Sequence, residues 1–128
     1  MADDGKQEKW PSYTMVDPKM RKIYFRFYQE TYKTSGLDRK TKELIAISAS
    51  LVAHCTGCLE GHIRKALKYG ATRDELSETI AIAMGVNAAA IVDLTDKAAE
   101  ALQIRHFDTD TPSSNSEEPT DTAVAREE

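Results

Sequence analysis

From Asp17 to Ile104 the apolar residues recur every three or four positions, and nowhere do they sustain an alternation of two. That rhythm is the period of a helix, and no hairpin dipeptide interrupts it. The chain is therefore expected to be all-α, with about five to six helices.

Punctuation residues place them. Asp17 before Pro18 forms an N-cap with proline at the first helical position. Met20, Ile23, Tyr24, Phe27, Tyr28 and Tyr32 then mark one apolar face, and Gly36 is the expected end. Asp38 can cap a second helix with Leu44, Ile47, Leu51 and Cys55 on one stripe. Ile45, Val52 and several alanines widen that stripe, so this helix is expected to be largely buried. A third should run from about Cys58 to Tyr69 and stop at Gly70. Thr72 and Glu75 have capping-box spacing and should open a fourth, through about Met84. Gly85 is read as a break, followed by an Ala-rich fifth helix over roughly Val86 to Ile104.

The 128 residues suit one compact domain, expected over 17–106, with a flexible lead-in over 1–16 that Trp10 or Tyr13 anchors. The segment 107–128 is expected to be a disordered acidic tail. It is rich in Pro, Ser, Thr and acids and almost free of large apolar residues, so burial cannot offset the entropy of ordering it. It holds seven acids and one base, a charge of −6 against −4 for the whole chain, which leaves residues 1–106 at +2. The low pI thus reports the tail. No basic patch with interleaved aromatics stands out, so nucleic acid is not an expected partner. The residues "KMRKIYFRF" read as an amphipathic helix with a solvated basic face. No secretory signal is expected in the polar start "MADDGKQEKW", and no stretch is expected to reach the length of a membrane span. The cytoplasm is the expected location. With a small core, and with alanines at 88–90, 98, 99 and 101 that permit close helix approach, a homo-oligomer is expected.

Both cysteines and two of the three histidines lie in "HCTGCLEGH", His54 to His62. In a cytosolic chain a CxxC is more often catalytic or metal-binding than a structural staple. It falls at a helix start, where free N–H groups and a partial positive charge stabilise a thiolate, the reactive form. His62 stands four residues after Cys58, on the same face, placed to take or hold its proton. Cys58 is thus read as the attacking thiol and Cys55 as the resolving one. Two alternatives stand beside this. The cysteines can be small buried residues, or His54, Cys55, Cys58 and His62 can hold zinc, although ligands crowded into nine residues are unlike the separated pairs of structural zinc sites. His54 reads as a helix-end residue near a favourable dipole.

The stretch "KELIAISASLVAHCTGCLEGHIRKALKYGATRDELSETIAIA", Lys42 to Ala83, resembles the carboxymuconolactone decarboxylase superfamily, and within it the alkylhydroperoxidase D-like branch. The resemblance rests on Glu…CxxCxxxH, matched by Glu43, Cys55, Cys58 and His62, and on "KALKYGATRDEL" downstream. It implies an all-helical domain assembling into trimers or hexamers. It also implies hydroperoxide reduction or disulfide exchange with no bound haem, flavin or metal, recharged by an external dithiol of lipoyl or thioredoxin type. Cys58 would attack the peroxide, Cys55 would resolve the sulfenic acid, and Glu43 with His62 would relay protons. Some relatives have a histidine just before the second cysteine; here that place is Gly57. Three rival functions are a disulfide-exchange adaptor, a lactone decarboxylase, and a redox-sensing or metal-holding helical oligomer. Glu43 enters on the resemblance alone, being also an ordinary first-turn acid. Counted along ideal helices, it ends about 12 Å short of His62.

Overall fold

The computed structural model describes residues 11–105 and Phe107; the expectations for Trp10, the first ten residues and the acidic tail beyond Phe107 lie outside them. The described residues form four helices and no strand: α1 (Pro18–Tyr32), α2 (Arg39–Val52), α3 (Thr56–Lys68) and α4 (Arg73–Leu102). The fold is all-α, as the periodicity requires, with fewer helices than expected.

The caps explain the boundaries. Asp17 Oδ1 accepts from Lys19 N at 2.8 Å, and Pro18 opens α1. Asp38 Oδ1 accepts from Thr41 N at 2.8 Å and opens α2. α1 stops at Tyr32, four residues before the expected Gly36. The reason is tertiary: Lys42 on α2 sends its ammonium to the carbonyls of Thr31 and Lys33 and to Ser35 Oγ. Those carbonyls have no partner within the helix, and a cation is favoured there.

α2 ends at Val52 rather than at Cys55. Cys55 N donates back to Ser50 O at 3.0 Å and His54 N to Leu51 O at 3.3 Å, a Schellman closure. His54 occupies its left-handed position, φ 55°. α3 closes the same way, with Gly70 at φ 90° and Ala71 N bonded to Ala66 O at 2.9 Å. At the start of α4 the capping box is complete: Glu75 N donates to Thr72 Oγ1 at 3.1 Å and Thr72 N to a Glu75 carboxylate oxygen at 2.8 Å.

Gly85 does not break the chain. α4 runs unbroken through it for thirty residues. One helical glycine costs only about 1 kcal/mol relative to alanine, and Ala83 and Met84 before it and Ala88, Ala89 and Ala90 beyond are good helix formers. This helix also corrects a second expectation. By length and composition α4 is apolar enough to cross a membrane, with only 6 % of the relevant window buried within the chain.

Contacts gather the described residues up to Ala88 into one compact unit and the described residues from Ala89 onward into another. In the first, α2 and α3 form the main helix pair. They run antiparallel: Lys40 at the start of α2 reaches Glu75, just beyond α3, at 2.9 Å. The core is small. Ala46, Ile47, Ala66 and Ala83 are buried, together with the polar Glu43, Ser50 and His62. Of the expected stripes, Ile47 is fully buried, but Ile45 and Val52 on α2 are half exposed. Of the apolar stripe on α1 only Tyr28 and Tyr32 are partly covered; Met20, Ile23, Tyr24 and Phe27 are open, because α1 meets α2 only sparingly. Before α1, Tyr13 packs on Tyr24 and Phe25, with ring centres 5.6 and 5.2 Å apart. In the second unit the later turns of α4 carry the Asp93–Lys97 ion pair at 2.8 Å.

Candidate active site

The turn after α2 delivers Cys55 to the N-cap of α3 and Cys58 to its first turn; the helix begins at Thr56, two residues earlier than expected. Cys55 Sγ accepts from Cys58 N at 3.3 Å, so a sulfur fills the role that Ser or Asp fills in an ordinary cap. The two cysteines are joined as a disulfide, their Cα atoms 5.2 Å apart. Cys58 is the exposed partner and Cys55 the half-buried one.

Behind them lies a buried polar pair. Glu43 is fully buried and His62 is 8 % exposed. His62 Nδ1 is 2.6 Å from Glu43 Oε2, and Arg39 Nε donates to Glu43 Oε1 at 2.9 Å. A carboxylate of zero exposure requires such partners, since a buried charge without them is costly. The other ring nitrogen, Nε2, faces Tyr32 Oη at 3.4 Å. An ionised Glu43 can only accept, so Nδ1 is then the donor, and Nε2, when it carries no proton, can accept from the Tyr32 hydroxyl. Burial, with the nearby Tyr28 and Glu43, pushes the Tyr32 phenol up to about 12, so it stays protonated through the neutral range. The rings stack in sequence: Tyr28 on Tyr32 at 4.5 Å and Tyr32 on His62 at 5.3 Å. The Arg39 guanidinium stands over the Tyr32 ring at 5.4 Å and the Tyr69 ring at 4.8 Å.

All four residues matched on resemblance thus come from one stretch of one chain, and Glu43 reaches His62 directly. The expected gap of about 12 Å is corrected by the turn geometry. Glu43 lies nine residues before the end of α2 and His62 six after the start of α3. The axial mismatch is therefore only about 5 Å, which two side chains span. His54 is exposed and belongs to the turn. Among the described residues no group of three or more His, Cys, Asp or Glu side chains is arranged to hold a metal ion.

Sequence reasoning missed Tyr32, Tyr28 and Arg39. Arg39 had a usable signal, four residues before Glu43 on one helix face. The tyrosines read as core, and nothing in the spacing tells that Tyr32 meets an imidazole thirty residues on.

An all-helical domain with a CxxC disulfide at a helix start and a buried Glu–His pair behind it defines a class of protein. The comparisons name it. The carboxymuconolactone decarboxylase family model matches residues 18–104, and the chain belongs to that family. An uncharacterised protein of a cox locus in Paracoccus denitrificans is 35% identical over 71 residues, a match spanning 56% of this chain and 64% of that one. A carboxymuconolactone decarboxylase family protein from Thermotoga maritima, described as a candidate for involvement in an antioxidative response, superposes with a TM-score of 0.54 at 29% identity, covering 68% of this chain and 90% of its own. A family member from Legionella pneumophila gives 0.54 at 32% identity, covering 67% and 77%. A protein from Methanobacterium thermoautotrophicum shares the fold, with a TM-score of 0.60 at 24% identity over 66% of this chain and 97% of that one.

Proposed function

We propose that this chain is a thiol-dependent hydroperoxide reductase of the alkylhydroperoxidase D-like kind. The observation that carries the reading is the Cys55–Cys58 disulfide, set on a helix N-terminus in the same cleft as His62, whose imidazole is held by Glu43.

In the reduced state the exposed Cys58, favoured as thiolate by the helix dipole, attacks the distal peroxide oxygen. The O–O bond breaks, an S–O bond forms, and the alkoxide leaves. The proton that Cys58 gives up on becoming a thiolate passes to His62, whose imidazolium Glu43 stabilises; the Tyr32 hydroxyl protonates the leaving alkoxide, and His62 hands that proton on to Tyr32. Cys58 is now a sulfenic acid. Cys55 condenses with it, the hydroxyl leaves as water, and the disulfide forms. One hydroperoxide and two thiols become one alcohol, one water and one disulfide. An external dithiol, of lipoyl or thioredoxin type, restores the thiols by exchange; no bound cofactor takes part. The cytoplasm, which keeps thiols reduced, suits such a cycle. A homo-oligomer, trimer or hexamer, would cover the apolar faces that the single chain leaves open.

The test is a single turnover. Fully reduced, metal-free protein is mixed with an organic hydroperoxide, quenched at intervals, and its free thiols counted on intact chains by mass. Both thiols should vanish together, far faster than in a small dithiol. Serine at Cys58 should abolish the reaction, and serine at Cys55 should trap the sulfenic acid or a mixed disulfide. Thiols that survive peroxide but oxidise readily with a protein or lipoyl disulfide would make the site an exchange couple instead.

A further inference from the structure

The cleft that holds the disulfide has a volume of about 690 Å³. That lies within the range of sites that enclose a small organic ligand. Two helix stripes form its walls. α1 supplies Tyr24, Tyr28 and Tyr32, one turn apart, and α3 supplies Cys58, His62 and Lys65 from one face. Among the described lining residues none is an aspartate or glutamate, and Lys65 is the one lysine or arginine.

Lys65 is held there. Its ammonium donates to Tyr28 Oη at 2.6 Å and stands 4.9 Å from the centre of that ring. A lysine near a helix C-terminus is ordinary, and Lys68 in the same turn is another. The placement is what informs. Arg64, the next residue along, pairs outside with Glu60 at 2.9 Å, both side chains largely exposed. Lys65 turns inward over an aromatic wall, and no carboxylate of the described residues pairs with it. Of its three donor protons Tyr28 takes one. The helix also sets a ruler, for Lys65 lies seven residues beyond Cys58, roughly 10 Å along the axis.

We propose that this cleft takes hydroperoxides of apolar carboxylic acids. The acid end rests on Lys65, the hydrocarbon lies along Tyr28 and Tyr32, and the peroxide meets Cys58. In a long-chain acid oxidised near mid-chain, the carboxylate and the peroxide are separated by a comparable length of extended hydrocarbon. The peroxide end of this assignment rests on the thiol-peroxidase reading; the acid end does not.

The experiment separates the two. The full chain in its disulfide form is titrated calorimetrically with a long-chain hydroxy acid whose hydroxyl sits mid-chain, below its micelle concentration, and with the methyl ester of that acid. Neither probe needs turnover. Wild type should bind the acid at least ten-fold more tightly than the ester. Lys65→Met should remove that preference while leaving the ester's affinity, and Lys65→Arg should keep it. Equal affinity for acid and ester in wild type overturns the proposal, and that comparison needs no variant to fold. So does a preference that survives Lys65→Met. Single turnovers with the matched acid and ester hydroperoxides add the second axis. If the acid binds selectively but the thiols survive peroxide, the peroxidase reading fails and the acid subsite stands. If acid and ester hydroperoxides oxidise the thiols at equal rates, the subsite fails and the peroxidase stands.

Discussion

His62 has both ring nitrogens engaged, and the two partners differ in kind. Glu43 at Nδ1 is a fully buried carboxylate that orients the ring; Tyr32 at Nε2 is a neutral phenol that can pass a proton toward the cleft. In the proposed cycle these make separable contributions. Glu43→Gln keeps a hydrogen-bonding group beside His62 but removes the charge that stabilises its protonated form. We expect it to slow thiol oxidation by about a hundred-fold, the lower range for a general acid–base element. It should also cost stability, because Arg39 loses its buried counter-charge. Tyr32→Phe keeps the stacked ring and deletes only the hydroxyl. It should slow the chemical step by about ten- to a hundred-fold with little change in melting temperature. The burial-raised phenol gives an independent signature. In wild type one tyrosine should ionise near 12 in an ultraviolet titration, and Tyr32→Phe should remove that step. A Tyr32→Phe enzyme with unchanged single-turnover rate would take the hydroxyl out of the relay.

At the scale of elements, the α2–turn–α3 unit is what assembles the site. His54 accepts a left-handed backbone that costs a non-glycine residue on the order of 1 kcal/mol. In return the turn is short enough to set Glu43 beside His62. The far end of the same pair is tied by Lys40 to Glu75, and Glu75 also serves the capping box of α4. The Lys40 ammonium holds the Glu75 carboxyl below its ordinary range, and Glu75 in turn raises Lys40. A lowered carboxyl means that the folded chain binds its proton less readily than the unfolded one. Its stabilisation is therefore complete above the ordinary glutamate value, near 4.3, and is lost as pH falls through the lower folded value. Glu75→Gln should melt below wild type at neutral pH, and the difference should close on acidification through that window. Thermal melts across pH check this; a gap that persists in acid would assign the loss to the cap alone.

Across the molecule, burial is scarce. Among the described residues four apolar side chains are buried, while Ile82, Met84, Val86 and Leu94 of α4 stay more than half exposed. An apolar hollow of about 500 Å³ lies on the α2–α4 face, lined by residues that include Leu44, Ile45, Val52 and Ile82. A chain that leaves this much apolar surface open is poorly stable in water alone. If assembly covers it, wild type should sediment as a multiple of the 14.2 kDa chain. Ile45→Glu, which puts a charge into that hollow, should shift it toward the monomer. A monomeric wild type would end the assembly proposal and leave the membrane-length α4 to be covered in another way.

The sequence by itself determined the helical class, the capped starts of α1, α2 and α4, and the Gly70 stop. These are local: a side chain reaches an N–H two or three residues away, and a glycine takes a positive φ wherever it stands. It also held the CxxCxxxH spacing, because residues three and four apart share a helix face. What only the tertiary structure decided is where α1 ends, since Lys42 comes from another helix. It decided the meeting of Glu43, His62, Tyr32 and Arg39 as well. That cluster depends on the length of one turn: α2 ends three residues before Cys55 and α3 begins two before Cys58, and together these turn an expected axial gap of about 12 Å into a 2.6 Å contact. Pattern along a chain fixes faces; the registry between faces is set by packing, which the pattern does not contain.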